Sequence, residues 1–432
     1  MDKNGFAPVP PMGWNSYDYY NTEVNEEQVK ANADFMAARL KDAGWEYVVI
    51  DIAWYEVGAG SQSRLYQYLP FAELRMDEYS RLIPDPVRFP SSEGGKGFKP
   101  LADYIHSLGL KFGIHIMRGI PRIAAHAHGR ILGTDLGADQ LADPSNICAW
   151  NPYMYGLRAE LPEAQLYYDS IMELYAGWGV DFIKCDDICR EDAATAHQEI
   201  ALLHNAIIKC GRPIVLSLSP GPAKITEAAF YAGNANMWRI TDDFWDSWPL
   251  LKDMFRRCEL WQGKNSPGCY PDCDMLPVGT IGGCFGDRQE RKTGLTEEEQ
   301  RTMMSLWCIF GAPLMIGAEM TKMDAFTEAL LTNREILKMH KCGEYARQVV
   351  RTDEEAVWVS HSEDGTVGYL AMFNLTDEER AVHCWLNMAC AVGGKPYEGG
   401  AVKELWTGKE AEFRTGGLAY LVPAHGARVF CY

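Results

Sequence analysis

The chain has 432 residues, a formal net charge of −18, 13 cysteines, 13 tryptophans and 21 tyrosines. That length exceeds one ordinary core and predicts two domains, and the acidic balance argues against nucleic acid or an anionic membrane as partner, because both require clustered positive charge. No apolar run is long enough to span a bilayer, the opening MDKNGFAPVPPMGW has no apolar leader core, and the odd number of cysteines fits reduced thiols, so a cytoplasmic protein is expected.

Strand-like and helix-like runs alternate from residue 12 to about 340. MGWNS is followed by a helical pattern near residues 26–42 and then by YVVIDIAW at 47–54. A polar stretch rich in Pro and Gly, roughly 56–95, predicts a large loop. KPLADYIHSLG reads as a helix leading into LKFGIHIM at 110–117, and a second loop-rich region covers 118–160. The amphipathic YYDSIMELYAGWGVD then runs into FIKCDDIC at 182–189. A helix around 192–209 precedes PIVLSLSP at 213–220, and a further helical stretch leads to MWRITDD at 237–243. CDMLP at 273–277 and APLMIG at 312–317 complete the series, with the helical LTEEEQRTMMSLWCIF between them.

Each strand is short and mostly apolar, as in a parallel sheet covered on both faces. Eight such β-then-α units predict an α/β fold, a (β/α)8 TIM barrel over residues 1–345. No G-x-G-x-x-G turn follows an early strand, so a dinucleotide fold is unsupported. After residue 345 the pattern changes to period two with turn signals such as EDG and TDE, which predicts an antiparallel β-sandwich over 346–432.

Chemistry concentrates in FIKCDDIC. Lys184 and Asp186 stand two residues apart on a strand and share a face, whereas Asp187 points the other way. A buried charge is costly unless it is paired or functional; a structural ion pair at a strand end is the plainer alternative. Side chains at the C-terminal ends of barrel strands face one mouth. That mouth should carry Trp14, Tyr17, Asp51, Trp54, His115, Lys184, Asp186, Ser217, Ser219, Arg239, Asp242, Asp243, Asp272 and Asp274.

Two chemistries suit such a set: divalent-metal catalysis, and glycoside hydrolysis by two carboxyl groups. Lys184 and Arg239 would repel a cation, whereas they can hydrogen-bond sugar hydroxyls and hold a carboxylate ionised. Asp186 beside Lys184 suits an ionised nucleophile. The partner acid must be protonated at rest through burial or a like-charged neighbour, and Asp243, next to Asp242 and near Trp238, Phe244 and Trp245, is the candidate. Two C-x3-C pairs, Cys185/Cys189 and Cys269/Cys273, raise a four-thiolate zinc site, but their spacing is wider than the usual hooks, and small buried apolar cysteines are the simpler reading. No metal or cofactor is called for.

PPMGWNSY resembles the PPMGWNSW opening of glycoside hydrolase family 27, the retaining α-galactosidases and α-N-acetylgalactosaminidases. WGVDFIKCDD, WRITDDFWDSW, PDCDML and GAPLMIG resemble further stretches of that family, in order, over residues 10 to about 345. The resemblance implies a barrel with a β-sandwich and a two-step retaining mechanism. It implies Asp186 as nucleophile, Asp243, four residues after Arg239, as acid/base with its neighbour Asp242 as the alternative, and Lys184, Arg239 and Asp51 as sugar-binding residues; the segment of Asp272 and Asp274 is expected to be mainly structural.

Departures from the family pattern bear on substrate. Ile52 follows Asp51 where the family has a second aspartate that binds a sugar hydroxyl. An apolar side chain there suits a ring without a hydroxymethyl group, such as β-L-arabinopyranose. The chain resembles a subgroup with V-D-I-x-W-Y and G-I-H-I-M-R-G-I-P-R that includes β-L-arabinopyranosidases. Tyr17 stands in place of a stacking Trp, and His115 in place of a Tyr. Ser219 and Pro222 lie in the segment that reads the C2 substituent, which keeps α-N-acetylgalactosaminidase as an alternative; a non-catalytic sugar-binding protein on the same scaffold is another. The implied function is a retaining exo-glycosidase releasing terminal β-L-arabinopyranose or α-D-galactose through a covalent glycosyl-enzyme. Its partner is an oligosaccharide or glycoside, and a homo-oligomer is compatible with the sequence.

Overall fold

Eight short parallel strands wind around one axis: β1 Met12–Asn15, β2 Tyr47–Ile50, β3 Lys111–Met117, β4 Phe182–Asp186, β5 Val215–Leu218, β6 Met237–Arg239, β7 Tyr270–Asp272 and β8 Leu314–Ile316. The computed structural model describes residues 1–59, 68–69, 71–190, 196–282, 289–385, 400–413 and 416–432. The sheet order is β7-β6-β5-β4-β3-β2-β1-β8. At the seam between β7 and β8, a parallel bridge joins Leu276 to Ile316, with Leu276 N donating to Met315 O at 2.7 Å.

The seventh strand lies N-terminal to its expected place at 273–277. Asp274 adopts a left-handed conformation (φ 76°), and its N–H donates to Asp272 Oδ1 at 2.9 Å, so the extended run ends at Asp272. β6 likewise ends at Arg239, which leaves Asp242 and Asp243 in the loop beyond it.

Alternation along the strands fills the barrel. Tyr47, Val49, Phe182, Val215, Met237, Tyr270 and Met315 form the apolar plug on its axis, while Val48, Ile50, Ile114, Ile183 and Leu216 face the surrounding helices. Two residues further along each strand, the inward positions change character. Phe182 gives way to Lys184 and Asp186, Val215 to Ser217 and Ser219, and Met237 to Arg239. Gly13 allows β1 to close on β2, since a Cβ there would stand 2.5 Å from the Tyr47 carbonyl oxygen.

The helical layer follows the sequence pattern. Helix α1, Glu26–Phe35, starts with a reciprocal cap between Asn25 and Gln28, and the rest of its expected length is a π turn and a 3-10 turn ending at Ala43. Helix α2 spans Lys99–Ser107, and helix α3, Pro162–Trp178, stops at the left-handed Gly179. Helix α4 spans Ala196–Cys210; residues 192–195 of the expected helix lie outside the described residues. The 118–160 excursion, expected as loop, contains a small antiparallel sheet of Ile120–Pro121, Ala142–Ile147 and Met154–Leu157.

The C-terminal strands are β9 Arg347–Arg351, β10 Glu355–His361, β11 Gly368–Asn374, β12 Arg380–Trp385, β13 Gly400–Glu404, β14 Glu410–Phe413, β15 Gly417–Val422 and β16 Ala427–Cys431. They form an antiparallel six-stranded sheet, β9-β10-β11-β16-β13-β14, and a two-stranded sheet of β12 and β15. Val357, Val359, Leu370, Met372 and Phe430 meet Val382, Cys384, Leu418 and Val422 between the sheets. Ala356, Trp358, Ala371, Phe373 and Val429 belong instead to the core shared with the barrel helices. Period-two alternation thus gives the large sheet two buried faces. Among the described residues no helix is long and apolar enough to cross a membrane.

Helix α5, Glu297–Phe310, joins the two parts. Its Glu299 accepts from Thr296 N at 2.7 Å in a capping box and also meets His425 Nδ1 at 2.8 Å, while the His425 ring stacks on Trp248 with centroids 3.8 Å apart. Glu299→Ala therefore removes a helix cap and a cross-domain hydrogen bond together. It is expected to lower unfolding stability by about 1–3 kcal/mol; a thermal or urea unfolding curve unchanged from wild type would show that this seam carries no stability.

Candidate active site

The end of β4 places the central groups. Lys184 and Asp186 face inward, and Asp187, at φ 61°, turns outward to Arg118 Nη2 at 2.9 Å. Arg118 in turn pairs with the buried Glu199 at 3.0 Å, so Asp187 belongs to a structural network behind the site. Lys184 Nζ donates to Asp51 Oδ2 at 2.9 Å and lies 4.0 Å from Asp186 Oδ2. Asp51 is held further by Asn15 Nδ2 at 2.7 Å and by the Ile52 N–H at 2.8 Å.

Asp186 Oδ2 accepts from His115 Nε2 at 2.8 Å, and the Ser219 hydroxyl lies near enough to help stabilise the charged carboxylate. Burial alone would push the Asp186 carboxyl up; Lys184, His115 and Ser219 together hold it well below the usual carboxylate range. Asp51 is depressed for similar reasons, burial being outweighed by Lys184 and His115. Asp186 Oδ1 is buried and accepts no hydrogen bond among the described residues. An ionised carboxylate with one tethered oxygen and one free oxygen is suited to attack an electrophilic carbon.

Arg239, at the end of β6, is the second buried cation. Its Nη2 donates to Asp274 Oδ2 at 2.7 Å and to Asp243 Oδ1 at 3.1 Å, and its Nη1 lies 3.4 Å from Ser219 Oγ. Asp274 also accepts from Phe244 N at 2.7 Å. Burial pushes the Asp274 carboxyl up to about 7; Arg239 opposes this, and the charges of Asp243 and Asp272 add to it.

Asp243 differs from its expected setting. Of the two settings expected for it, burial or a like-charged neighbour, burial does not hold: its side chain is 63% exposed. Trp238, expected nearby, stacks against Tyr231 in the core and does not line the cavity, whereas Phe244 and Trp245 do line it. Asp242 turns to Arg190 at 3.0 Å.

These groups surround one cavity of about 430 Å3. Tyr17, Asp51, Ile52, Lys184, Asp186, Arg239 and Asp243 all line it. Three of the residues expected at the mouth, Trp54, His115 and Ser219, are not in its lining. Trp54 is fully buried against Phe98, Tyr175 and Trp178, with its indole N–H donating to the His115 carbonyl at 2.7 Å. His115 stands behind Asp186, and Ser219 lies below the cavity floor, between Asp186 and Arg239. Strand-end position brought these three to the right layer, but their side chains are consumed in packing and in bracing the carboxylate.

The lining also contains residues that the sequence reading missed or assigned to structure. Asp274 and Met275 come from the segment read as mainly structural, and Asp18 follows Tyr17 in the first turn after β1. Tyr68 and Trp150 reach the cavity from the two long excursions, with their rings 5.6 Å apart. The position of Asp18 one residue beyond a strand-end aromatic was a usable signal; irregular loops gave none for Tyr68 and Trp150.

The four thiols considered for zinc do not converge. Cys185 and Cys189 point at the carbonyls of Asp186 and Arg239, Cys269 at that of Ala232, and Cys273 lies 3.6 Å from Cys258. Among the described residues no cluster of three or more His, Cys, Asp or Glu is arranged to hold a metal ion.

A barrel mouth with paired carboxylates, two cations and aromatic walls has the equipment of a carbohydrate-cleaving enzyme. Residues 9–146 and 155–341 match the family described as alpha galactosidase A, and residues 352–431 match the alpha galactosidase C-terminal beta sandwich domain. The chain belongs to this α-galactosidase family and is a glycoside hydrolase. It is 49% identical to a family 27 β-L-arabinopyranosidase from Geobacillus stearothermophilus, whose structure superposes with a TM-score of 0.94 and coverage of 100% of this chain and 98% of that one. An aspartate-to-alanine variant of that enzyme has been solved with arabinose. The chain is 24% identical to an α-galactosidase of Cyamopsis tetragonoloba over 434 residues, covering 100% of this chain and 87% of that protein. It is 28% identical to an α-N-acetylgalactosaminidase of Gallus gallus over 372 residues, covering 81% and 75%.

Asp274 provides a test of the site's electrostatics. Its folded pKa of about 7 lies above the ordinary 3.8, so its contribution to stability is full below about pH 4 and is lost as pH rises through about 7. Asp274→Asn should therefore show a smaller decline in Tm between about pH 4 and pH 7 than wild type. An unchanged decline in the variant would assign the proton to another carboxyl.

Proposed function

We propose that the chain is a retaining exo-glycosidase that releases terminal β-L-arabinopyranose in preference to α-D-galactose. The carrying observation is that Asp186, with its free Oδ1, opens onto the same cavity as Asp243, beside Ile52. Ile52 sits next to the anchored Asp51 and offers apolar surface to one edge of the bound ring. A pentopyranose leaves that edge free of a hydroxymethyl group, so no polar group is stranded against Ile52. The 49% identity to a β-L-arabinopyranosidase supports the same choice.

In the proposed mechanism Asp186 Oδ1 attacks the anomeric carbon while Asp243 gives its proton to the leaving oxygen. The aglycone covers Asp243 as it binds, which brings the carboxyl against the leaving oxygen. Asp243, left as a carboxylate by that transfer, then takes a proton from the water that attacks the glycosyl-enzyme, which breaks the ester to Asp186 and releases the sugar with its configuration retained. Lys184 and Asp51 grip hydroxyls on one side of the ring, and Arg239 orients Asp243 at 3.1 Å. Tyr17, Tyr68, Trp150 and Trp245 supply aromatic walls for the ring and the aglycone.

Pro220, a small residue in the lining next to Ser219, is the observation that favours the second reading, an α-N-acetylgalactosaminidase. A cytoplasmic location belongs to the proposal as well: eleven described cysteines are free thiols, the state that a reducing compartment maintains.

Initial rates on aryl β-L-arabinopyranoside, α-galactoside and α-N-acetylgalactosaminide test the assignment. The arabinopyranoside should give the highest kcat/KM, and no hydrolysis of any of the three would refute the glycosidase reading. Asp186→Ala should lower kcat on the order of 10^4-fold or more with the fold intact by circular dichroism; wild-type-like turnover would remove Asp186 as nucleophile. Ile52→Asp should shift the ratio of kcat/KM toward the α-galactoside by about 10- to 100-fold, and an unmoved ratio would show that Ile52 does not read the substituent at C5.

A further inference from the structure

We propose that Asp18 is a substrate-contacting, specificity-determining residue whose carboxyl hydrogen-bonds a hydroxyl of the bound glycoside. The inference rests on the glycosidase reading above and adds to it a residue that neither the sequence pattern nor the mechanism uses.

Asp18 lines the cavity and is only 1% exposed, yet its Oδ2 has no hydrogen-bond partner among the described residues. Its buried neighbours are all engaged: Asp51 with Lys184 and Asn15, Asp186 with His115, and Asp274 with Arg239. A buried carboxyl oxygen without a protein partner is unfavourable unless something else meets it. In a cavity built for a polyhydroxylated ring, the group that meets it is a ligand hydroxyl.

The backbone holds this carboxyl in place. Tyr17 N donates to Asn15 Oδ1 at 2.9 Å, Tyr20 N to Ser16 O at 2.9 Å, and Gly282 N to Asp18 O at 2.9 Å. Across the side chain lies Gly317, just beyond β8. A Cβ at Gly317 would stand 2.6 Å from Asp18 Cγ and closer still to Oδ2, so the missing side chain leaves room for the carboxyl at the cavity wall.

Surrounding charges decide which role the carboxyl takes. Burial pushes it well above the usual range, with Asp274, Asp243 and Asp51 adding to the effect and Lys184 opposing it. A neutral carboxyl offers a hydroxyl donor and a carbonyl acceptor, which matches the two-way hydrogen bonding of a sugar hydroxyl. Asp18 complements Asp51 and Asp186, which are ionised and only accept.

The test compares wild type with Asp18→Asn, Asp18→Leu and Gly317→Ala. The readouts are kinetics on nitrophenyl β-L-arabinopyranoside, L-arabinose affinity from the ligand-induced Tm shift, and Tm without ligand. Asp18→Asn, always neutral and able to donate and accept, should keep kcat/KM within about threefold. It should also lose any decline in kcat/KM at high pH that comes from ionisation of Asp18. Asp18→Leu should raise KM and weaken arabinose binding by about tenfold, while its Tm without ligand stays level or rises because an unpartnered buried carboxyl is gone. Gly317→Ala, which displaces the carboxyl without removing it, should also raise KM.

Wild-type KM and arabinose affinity in Asp18→Leu and Gly317→Ala would overturn the inference. A lowered Tm with unchanged KM would give Asp18 a structural role instead. Either result, obtained with a wild type that hydrolyses the arabinopyranoside, overturns the role of Asp18 alone; a wild type that neither cleaves any aryl glycoside nor binds L-arabinose overturns the glycosidase reading itself.

Discussion

One ammonium group holds the site together. Lys184 Nζ sits 2.9 Å from Asp51 and 4.0 Å from Asp186, joining β2 and β4 across the intervening β3. Both carboxylates are buried, and burial without a cation would protonate them and end their use as anions. The ion pairs are functional before they are stabilising, since a buried pair of this kind often contributes little net stability over apolar packing. In the proposed mechanism it keeps one carboxylate as an anchor and the other as a nucleophile. Asn15 from β1, the Ile52 N–H and His115 from β3 meet the other oxygens of these two carboxylates, and among the described residues Asp186 Oδ1 alone of them is left without a partner. The free oxygen is what the network leaves over for chemistry.

The charges around the cavity are sorted by wall. Asp51 and Asp186, beside Lys184, are depressed; Asp18 and Asp274, nearer the closing seam of the barrel, are raised. Arg239 lies between the two groups and shares one nitrogen, Nη2, between Asp274 and Asp243. A carboxylate-rich mouth thus presents ionised and protonated carboxyls at the same pH, so that some of its carboxyl groups only accept hydrogen bonds and others can also donate. An apolar plug on the barrel axis packs beneath these polar groups.

Much of this was legible in the sequence, and the reason is periodicity. The two-residue repeat placed Lys184 and Asp186 together and sent Asp187 to the opposite face, where Arg118 holds it. The same repeat, summed over eight short apolar runs, gave the barrel, and its onset after residue 345 gave the sandwich. What periodicity does not encode was misjudged. Trp54 reads as a strand-end aromatic, but its ring is drawn into the packing of Phe98, Tyr175 and Trp178. The seventh strand was placed too late because a left-handed aspartate ends it. Tyr68 and Trp150 arrive on long irregular segments whose paths depend on tertiary contacts. Asp243 was read as an acid set by burial or by a like-charged neighbour, and among the described residues its side chain stands 63% exposed.

The most direct measurement of the central claim is the mass of the protein after exposure to an activated 2-deoxy-2-fluoro-β-L-arabinopyranoside, whose fluorine slows release of a glycosyl-enzyme. A stoichiometric gain of one fluoropentosyl group, mapped by peptide sequencing to Asp186, is the predicted result. An adduct on another carboxylate, or steady turnover with inverted configuration and no adduct, would contradict the account.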